Sequence, residues 1–209
     1  MRRKAWLWCV FSLLLALVLY ALRSPVWYNF AVVGWWLFFD NISSRLTNQT
    51  TLDLLIHKHY SSFAKLFLIL LLAGILLEVS ASLLLGLWSY PLLWSLKPMW
   101  LMLLINLWGY LCYPLMFMSL WEMYVVMRTL VGRWWIALCG SIFMGIILWE
   151  VPNLFSLDWI YHIPFVPWSI FGLNIVIISG WSLLFLIPLY IYGLLGLIPK
   201  YSTDILRDS

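Results

Sequence analysis

Long apolar runs, broken by short polar or aromatic turns, recur along the whole chain. Runs of about 18 residues or more with few charges mark helices that cross a bilayer, because its ~30 Å hydrocarbon core needs about 20 helical residues. The pattern predicts six spans, at about 5–22, 26–39, 67–88, 98–127, 134–150 and 169–197. The second is short for a crossing and is read as tilted, as starting one turn earlier or as re-entrant; the charge pattern below favours a full crossing. Residues 40–65 form the one sizeable polar segment and are expected to be a loop, with an interfacial helix near 52–59 whose Leu54, Leu55 and Ile56 dip into the headgroups. Residues 151–168, with three prolines, form a second extramembrane loop. Pro114 and Pro188 fall inside spans, where proline removes a backbone bond and frees a carbonyl.

Composition agrees with this pattern. The chain has 209 residues, 65% hydrophobic and only 10% charged, where a soluble domain carries about a quarter charged residues. Ten-residue stretches of alternating polarity are absent, which argues against an outer-membrane barrel. The expected fold is therefore a single all-α transmembrane domain. The apolar run behind Met1-Arg2-Arg3-Lys4 is longer than a signal h-region, no small-x-small site precedes Arg23, and the run reads as a retained first span. The net charge of +4 is a topology signal and not a nucleic-acid signal. With six spans, ten of the twelve basic residues fall on the side of the termini, and only Arg23 and Lys97 on the other. Both termini are then expected in the cytoplasm, with the chain in a prokaryotic inner (cytoplasmic) membrane. A re-entrant second span would swap every later loop and erase that bias. Of the 16 tryptophans, fourteen fall near the two interfaces as aromatic belts, and Trp108 and Trp181 stand at mid-depth. Cys9, Cys112 and Cys139 lie in apolar runs without ligand spacing.

The stretch around which the chain is organised runs from Lys65 to Arg128, two apolar helices joined by an aromatic turn, with a buried acid in each. Glu78 stands near mid-bilayer, where an ionised carboxylate costs about 3 kcal/mol to insert, so it must be neutral or paired. Gly74, Glu78, Ser82 and Gly86 recur every four residues, a small-residue face that packs on another helix and turns Glu78 inward. One reading is a structural Glu bonded to Asn106 or a tyrosine across the seam; the other is a proton donor or ligand contact. Glu122, Asp40, Arg45 and Arg128 lie at one depth near the cytoplasmic end and suggest an ion cluster, either a structural pair or a site for an anionic headgroup. Glu150, Asp158 and His162 are metal-ligand types on the outer side, but their spacing matches no metal motif, and no metal is assigned. His57-Lys58-His59 reads as a solvated surface. No phosphate loop, cysteine-pair metal motif or nucleophile elbow is present. The sequons at Asn41 and Asn48 fall on the expected cytoplasmic side and carry no signal there.

Two resemblances rest on these residues. Gly34-Trp35, Phe39-Asp40, Arg45-Leu46-Thr47, Glu78, Gly86-Leu87-Trp88-Ser89-Tyr90 and Pro114 with Glu122 resemble a widespread family of uncharacterised bacterial multi-span membrane proteins, over about residues 30–130. That resemblance implies no activity. Glu78 followed by Gly86–Tyr90 is also similar, more loosely, to the small integral-membrane lycopene cyclases. Those carry a Pro-x-Glu-Glu motif, whereas here Pro114 and Glu122 are eight apart and no Glu-Glu pair occurs. The cyclase resemblance implies an acid that protonates a polyene and carboxylates that steady the cation. Without a complete catalytic set, the leading expectation is a non-catalytic accessory or scaffold subunit of a larger membrane complex, bound to membrane lipids and other membrane protein subunits. Lipid, carotenoid or quinone are its expected contacts. The alternative is a membrane-embedded enzyme on a prenyl lipid, carotenoid cyclase-like, with Glu78 as acid. A transporter is disfavoured, because the two halves show no inverted repeat.

Overall fold

The structure is a computed structural model that describes residues 2–47, 50–163, 166–170 and 173–197. Helices α1 (Arg2–Ala21) and α2 (Trp27–Thr47) form an antiparallel hairpin, turned by Arg23 at φ 53. The seam has a simple cause in the sequence. Ala5, Cys9, Ser12 and Ala16 recur every three or four residues on α1 and are all buried, so the backbones approach closely. Leu13 sits against Gly34 of α2, where an added Cβ would meet its side chain at 2.6 Å. The opposite face of α1, with Leu7, Phe11, Leu14 and Val18, is exposed.

Helix α2 differs from expectation. It continues through Asp40 to Thr47, so the polar segment 40–65 is not a loop but the end of α2, then α3 (Thr51–Ile56), then the start of α4 (Tyr60–Glu78). The polar side chains bond back onto their own helix and leave its ladder whole. Asn41 Nδ2 donates to the Leu37 carbonyl at 2.6 Å, Ser44 Oγ to that of Asn41 at 2.8 Å, and Thr47 Oγ1 to that of Ser43 at 3.0 Å. The sequon residue Asn41 is thus buried; Asn48 lies outside the described residues, as do Lys200, Arg207 and the polar tail.

Among the described residues, five helices are long and apolar enough to cross a membrane: Arg2–Ala21, Tyr60–Leu84, Met99–Val131, Trp134–Ser156 and Ile175–Leu194. Helix α2 has comparable length, 21 residues, but its second half is polar. Two of the five contain a π-helical turn, a widened segment with one residue too many for the α repeat. One, Val79–Leu84, follows Glu78 directly; the other, Ile146–Glu150, extends α7 (Trp134–Gly145) and ends on Glu150 before α8 (Val151–Ser156). A short helix, α5 (Pro91–Trp94), lies in the aromatic turn. The long α6 (Met99–Val131) runs unbroken through Pro114 and stops at Gly132, whose φ of 77 suits a left-handed cap. The last helix, α9 (Ile175–Leu194), starts later than expected, because residues 169–170 and 173–174 pair as a two-stranded ladder instead. Asn174 caps it, accepting from the Val176 amide at 2.8 Å.

Helix α6 is the centre of the bundle. It packs against α2, α4, α7 and α9, and every residue from Met116 to Val126 is buried. Gly74 of α4 rests on Tyr113 of α6, where an added Cβ would fall 2.5 Å from the tyrosine Cβ. Beyond the helix ends, β1 (Trp88–Ser89) pairs antiparallel with β2 (Ile160–Tyr161), opposing Trp88 to Tyr161 and Ser89 to Ile160. The ladder ties the loop after α4 to the loop after α8. Because the clash is with the Tyr113 Cβ, which moves only with the α6 backbone, Gly74→Leu should cost about 1–3 kcal/mol of stability. Thermal unfolding in detergent should show a clear drop in midpoint; an unchanged midpoint would contradict this seam.

Candidate functional site

Below the β1–β2 ladder, α2, α4 with its π turn, α6, the π turn after α7, and α9 border a cavity of about 680 Å³. Its wall is mostly aromatic and aliphatic, with three acids, Glu78, Glu150 and Asp158, and no Lys, Arg or His. Pockets of roughly 300–1,000 Å³ with a few convergent polar groups are the usual form of small-molecule sites.

Glu78 is buried and held entirely by neutral donors. Tyr113 OH of α6 donates at 2.5 Å and Tyr90 OH at 2.9 Å, both to Oε2, and Trp88 Nε1 reaches both oxygens at 3.3 Å. These donors arrive by two routes. Tyr113 is brought by the close Gly74 seam. Trp88 and Tyr90 are folded back by the π turn and by Gly86, whose φ of 60 lets the chain reverse while the Leu87 amide bonds to Ala81 O at 2.8 Å. Gly86 is therefore a turn residue and not part of a helix-packing face; Gly74 packs, and Ser82 Oγ bonds the Trp88 carbonyl at 3.2 Å. The π turn breaks the four-residue repeat after Glu78, which is why the expected Gly74–Gly86 stripe does not form. Asn106 lines the same cavity.

Glu150 repeats the arrangement on the other side. Its Oε1 accepts from Tyr161 OH at 2.7 Å and from Trp181 Nε1 of α9 at 3.0 Å. Asp158 Oδ2 accepts from Trp27 Nε1. Oε2 of Glu150 and Oδ1 of Asp158 are buried and accept no hydrogen bond from any described residue. Burial pushes the loop phenols of Tyr90 and Tyr161 well above the ordinary tyrosine value, so both stay protonated and act as donors. His162 lies apart from these acids and pairs with Ser89 at 2.8 Å. Among the described residues, no three His, Cys, Asp or Glu side chains come together as a metal site.

The second cluster, at the opposite end of the bundle, is built differently from expectation. Asp40 and Glu122 are both fully buried, yet neither pairs with Arg45 or Arg128 among the described residues. Arg45 lies over the Trp6 ring, 5.6 Å from its centroid. The guanidinium that meets Asp40 is Arg2, which also bonds Asp53 at 2.6 Å and Thr50 Oγ1 at 2.7 Å. The remaining donors come from the start of α3. The Thr51 amide and hydroxyl donate to Glu122 Oε1 at 2.8 and 2.7 Å, and the Leu52 amide to Asp40 Oδ1 at 2.8 Å. The first amides of a helix have no partner within it, and acids are favourable there. Tyr192 joins through Thr51 at 2.7 Å and stacks on Trp121 at 4.4 Å. This cluster staples α1, α2, α3, α6 and α9 together.

Sequence reasoning left out Arg2, taken there only as a topology charge, and the Glu150 site. A signal for the latter was present: Trp181 at mid-depth, an indole N–H in an apolar span that needs a buried acceptor. The other mid-depth tryptophan, Trp108, packs edge-on against Phe30 at 4.9 Å instead. No protein-family model matches the chain, and neither the curated proteins nor the solved structures contain a match.

Removing Arg2 strands the fully buried Asp40 without a counter-charge, a change that costs about 3 kcal/mol or more. Arg2→Ala should lower the unfolding midpoint sharply, and Asp40→Asn in that background should restore much of it. Additive losses in the double variant would show that the two side chains are not energetically coupled.

Proposed function

We propose that this protein is a membrane-embedded enzyme acting on a prenyl-type lipid, with Glu78 as the acid. The observation that carries it is the aromatic cavity with Glu78 on one wall and Glu150 on another. The accessory-subunit expectation rests on the lack of a complete catalytic set and on the weakly polar, small-residue helix faces. Convergence of separate carboxyls on one apolar cavity supports chemistry instead, and the loose cyclase resemblance points the same way.

The chemistry needs no co-reactant. A protonated Glu78 gives its proton to an alkene carbon, the π electrons form the new C–H bond, and a carbocation remains. The donors from Tyr113, Tyr90 and Trp88 steady the carboxylate that Glu78 becomes once it has given up its proton. A carboxylate of Glu150, with one oxygen accepting no bond from any described residue, takes a proton from a neighbouring carbon and a new double bond forms. The product is an isomer of the substrate, and ring closure between the two steps is compatible with that balance. Aromatic faces on the wall steady the positive charge meanwhile.

The same reading gives α2 as a sixth span, since 21 residues reach about 31 Å at 1.5 Å each. The ten-to-two distribution of basic residues then supports cytoplasmic termini in a prokaryotic inner membrane. A reporter fused after residue 209 should be active only when it works in the cytoplasm; activity on the outer side would reverse this orientation.

Expression in bacteria that accumulate a linear polyene should yield a product of unchanged mass and altered chromatographic retention. Glu78→Gln should lower its formation by about 10²-fold or more while the protein still inserts and keeps its unfolding midpoint. Full activity in that variant would remove Glu78 from the chemistry. No product from the wild type, together with stoichiometric partner proteins in a gentle-detergent extract, would return the protein to the class of accessory subunits.

A further inference from the structure

The cavity opens on one side. Helices α6 and α9 run in the same direction, since in both the cavity-lining stretch precedes the Trp121–Tyr192 stack. Gly109 stands twelve residues before Trp121, and Gly180 twelve before Tyr192. Both glycines therefore sit at one depth, about 18 Å along their helices from the stack. Both line the cavity, and a Cβ added to either would meet nothing within 4 Å. Glycine inside a helix costs about 1 kcal/mol relative to alanine, and close packing is its usual justification. That justification holds at Gly74 and at Gly145, where the added carbon would fall 2.9 Å from Trp181. At Gly109 and Gly180 no described residue packs, and what the missing side chains leave is free space among the described residues.

The neighbours of these glycines give the same indication. Val176 and Leu183 of α9 line the cavity and yet are exposed at the bundle surface, 37% and 65%. Residues that belong to both surfaces mark the rim of an opening. Elsewhere the wall includes fully packed side chains such as Ala81 and Trp149. The helices on either side of the gap are long and apolar enough to span a membrane, so the opening faces hydrocarbon.

We propose that the ligand carries a hydrocarbon chain that enters sideways from the bilayer between α6 and α9 and lies across Gly109 and Gly180, with its reacting end at Glu78. This rests on the reading of the cavity as a prenyl-lipid site. The two glycines then determine the cross-section of chain admitted.

The test uses the full chain in phosphatidylcholine vesicles with a diazirine-bearing geranylgeraniol as probe, irradiated and mapped by mass spectrometry. Wild-type adducts are expected on residues 105–113 and 176–187. Gly109→Leu and Gly180→Leu fill open space, so they should keep the unfolding midpoint while lowering these adducts by about tenfold, with the smaller alanine variants in between. Leu107→Ala, on the exposed outer face of α6, should label as wild type does. Undiminished cavity adducts in both the leucine and the alanine variants would overturn the lateral entry and leave the lipid site standing. Adducts confined to outward-facing residues of the wild type would overturn both.

Discussion

A carboxylate buried in an apolar bundle must be met by donors or it does not stay buried. The bundle solves that problem at each end by different means. Around Asp40 and Glu122 the donors are a guanidinium and the free amides at the start of α3. They come from α1 and from the start of α3, while the acids stand on α2 and α6, so satisfying the acids also fixes where those four helices stand. Around Glu78 and Glu150 the donors are phenols and indoles, neutral groups that hold a carboxyl in place without cancelling its charge. One end is a closed staple; the other holds acids beside free volume.

Local backbone features serve these acids. Each glutamate of the cavity adjoins a π turn, and each π turn occurs where an apolar helix must also present a carboxyl to a loop residue: Trp88 and Tyr90 for Glu78, Tyr161 for Glu150. A regular α repeat would carry the following residues round the helix at four-residue spacing. After Glu78 the widened turn lets the chain double back within reach of its own glutamate, whereas after Glu150 the chain continues through α8 and reverses at Leu157 before Tyr161 returns. Glycines divide into two kinds along the same lines. Gly34, Gly74 and Gly145 admit a neighbour at close range, whereas Gly109 and Gly180 keep space open.

The helical, membrane-spanning class was legible in the sequence because it depends on long runs of apolar side chains, which composition records directly. So was the burial of Glu78, since an acid in mid-span has few alternatives. The extent of α2 was not legible: Asn41, Ser44 and Thr47 look like loop residues until their bonds to carbonyls one turn back are seen. Nor was the Asp40 partner, because Arg2 is 38 residues away and only the α1–α2 hairpin brings the two together. Arg45 and Arg128 are nearer in expected depth, but depth does not specify azimuth around a helix. The periodic reading of Gly86 failed for a related reason: one extra residue in a turn shifts every later position, and no composition rule reports it.

The β1–β2 ladder has a thermodynamic consequence. Trp88, a donor to Glu78, is the strand partner of Tyr161, a donor to Glu150, and the His162 amide holds the Leu87 carbonyl alongside at 2.7 Å. The two carboxyl sites therefore share one mechanical element. Local opening of the ladder would loosen a donor to each glutamate at once, so the two sites share one opening equilibrium.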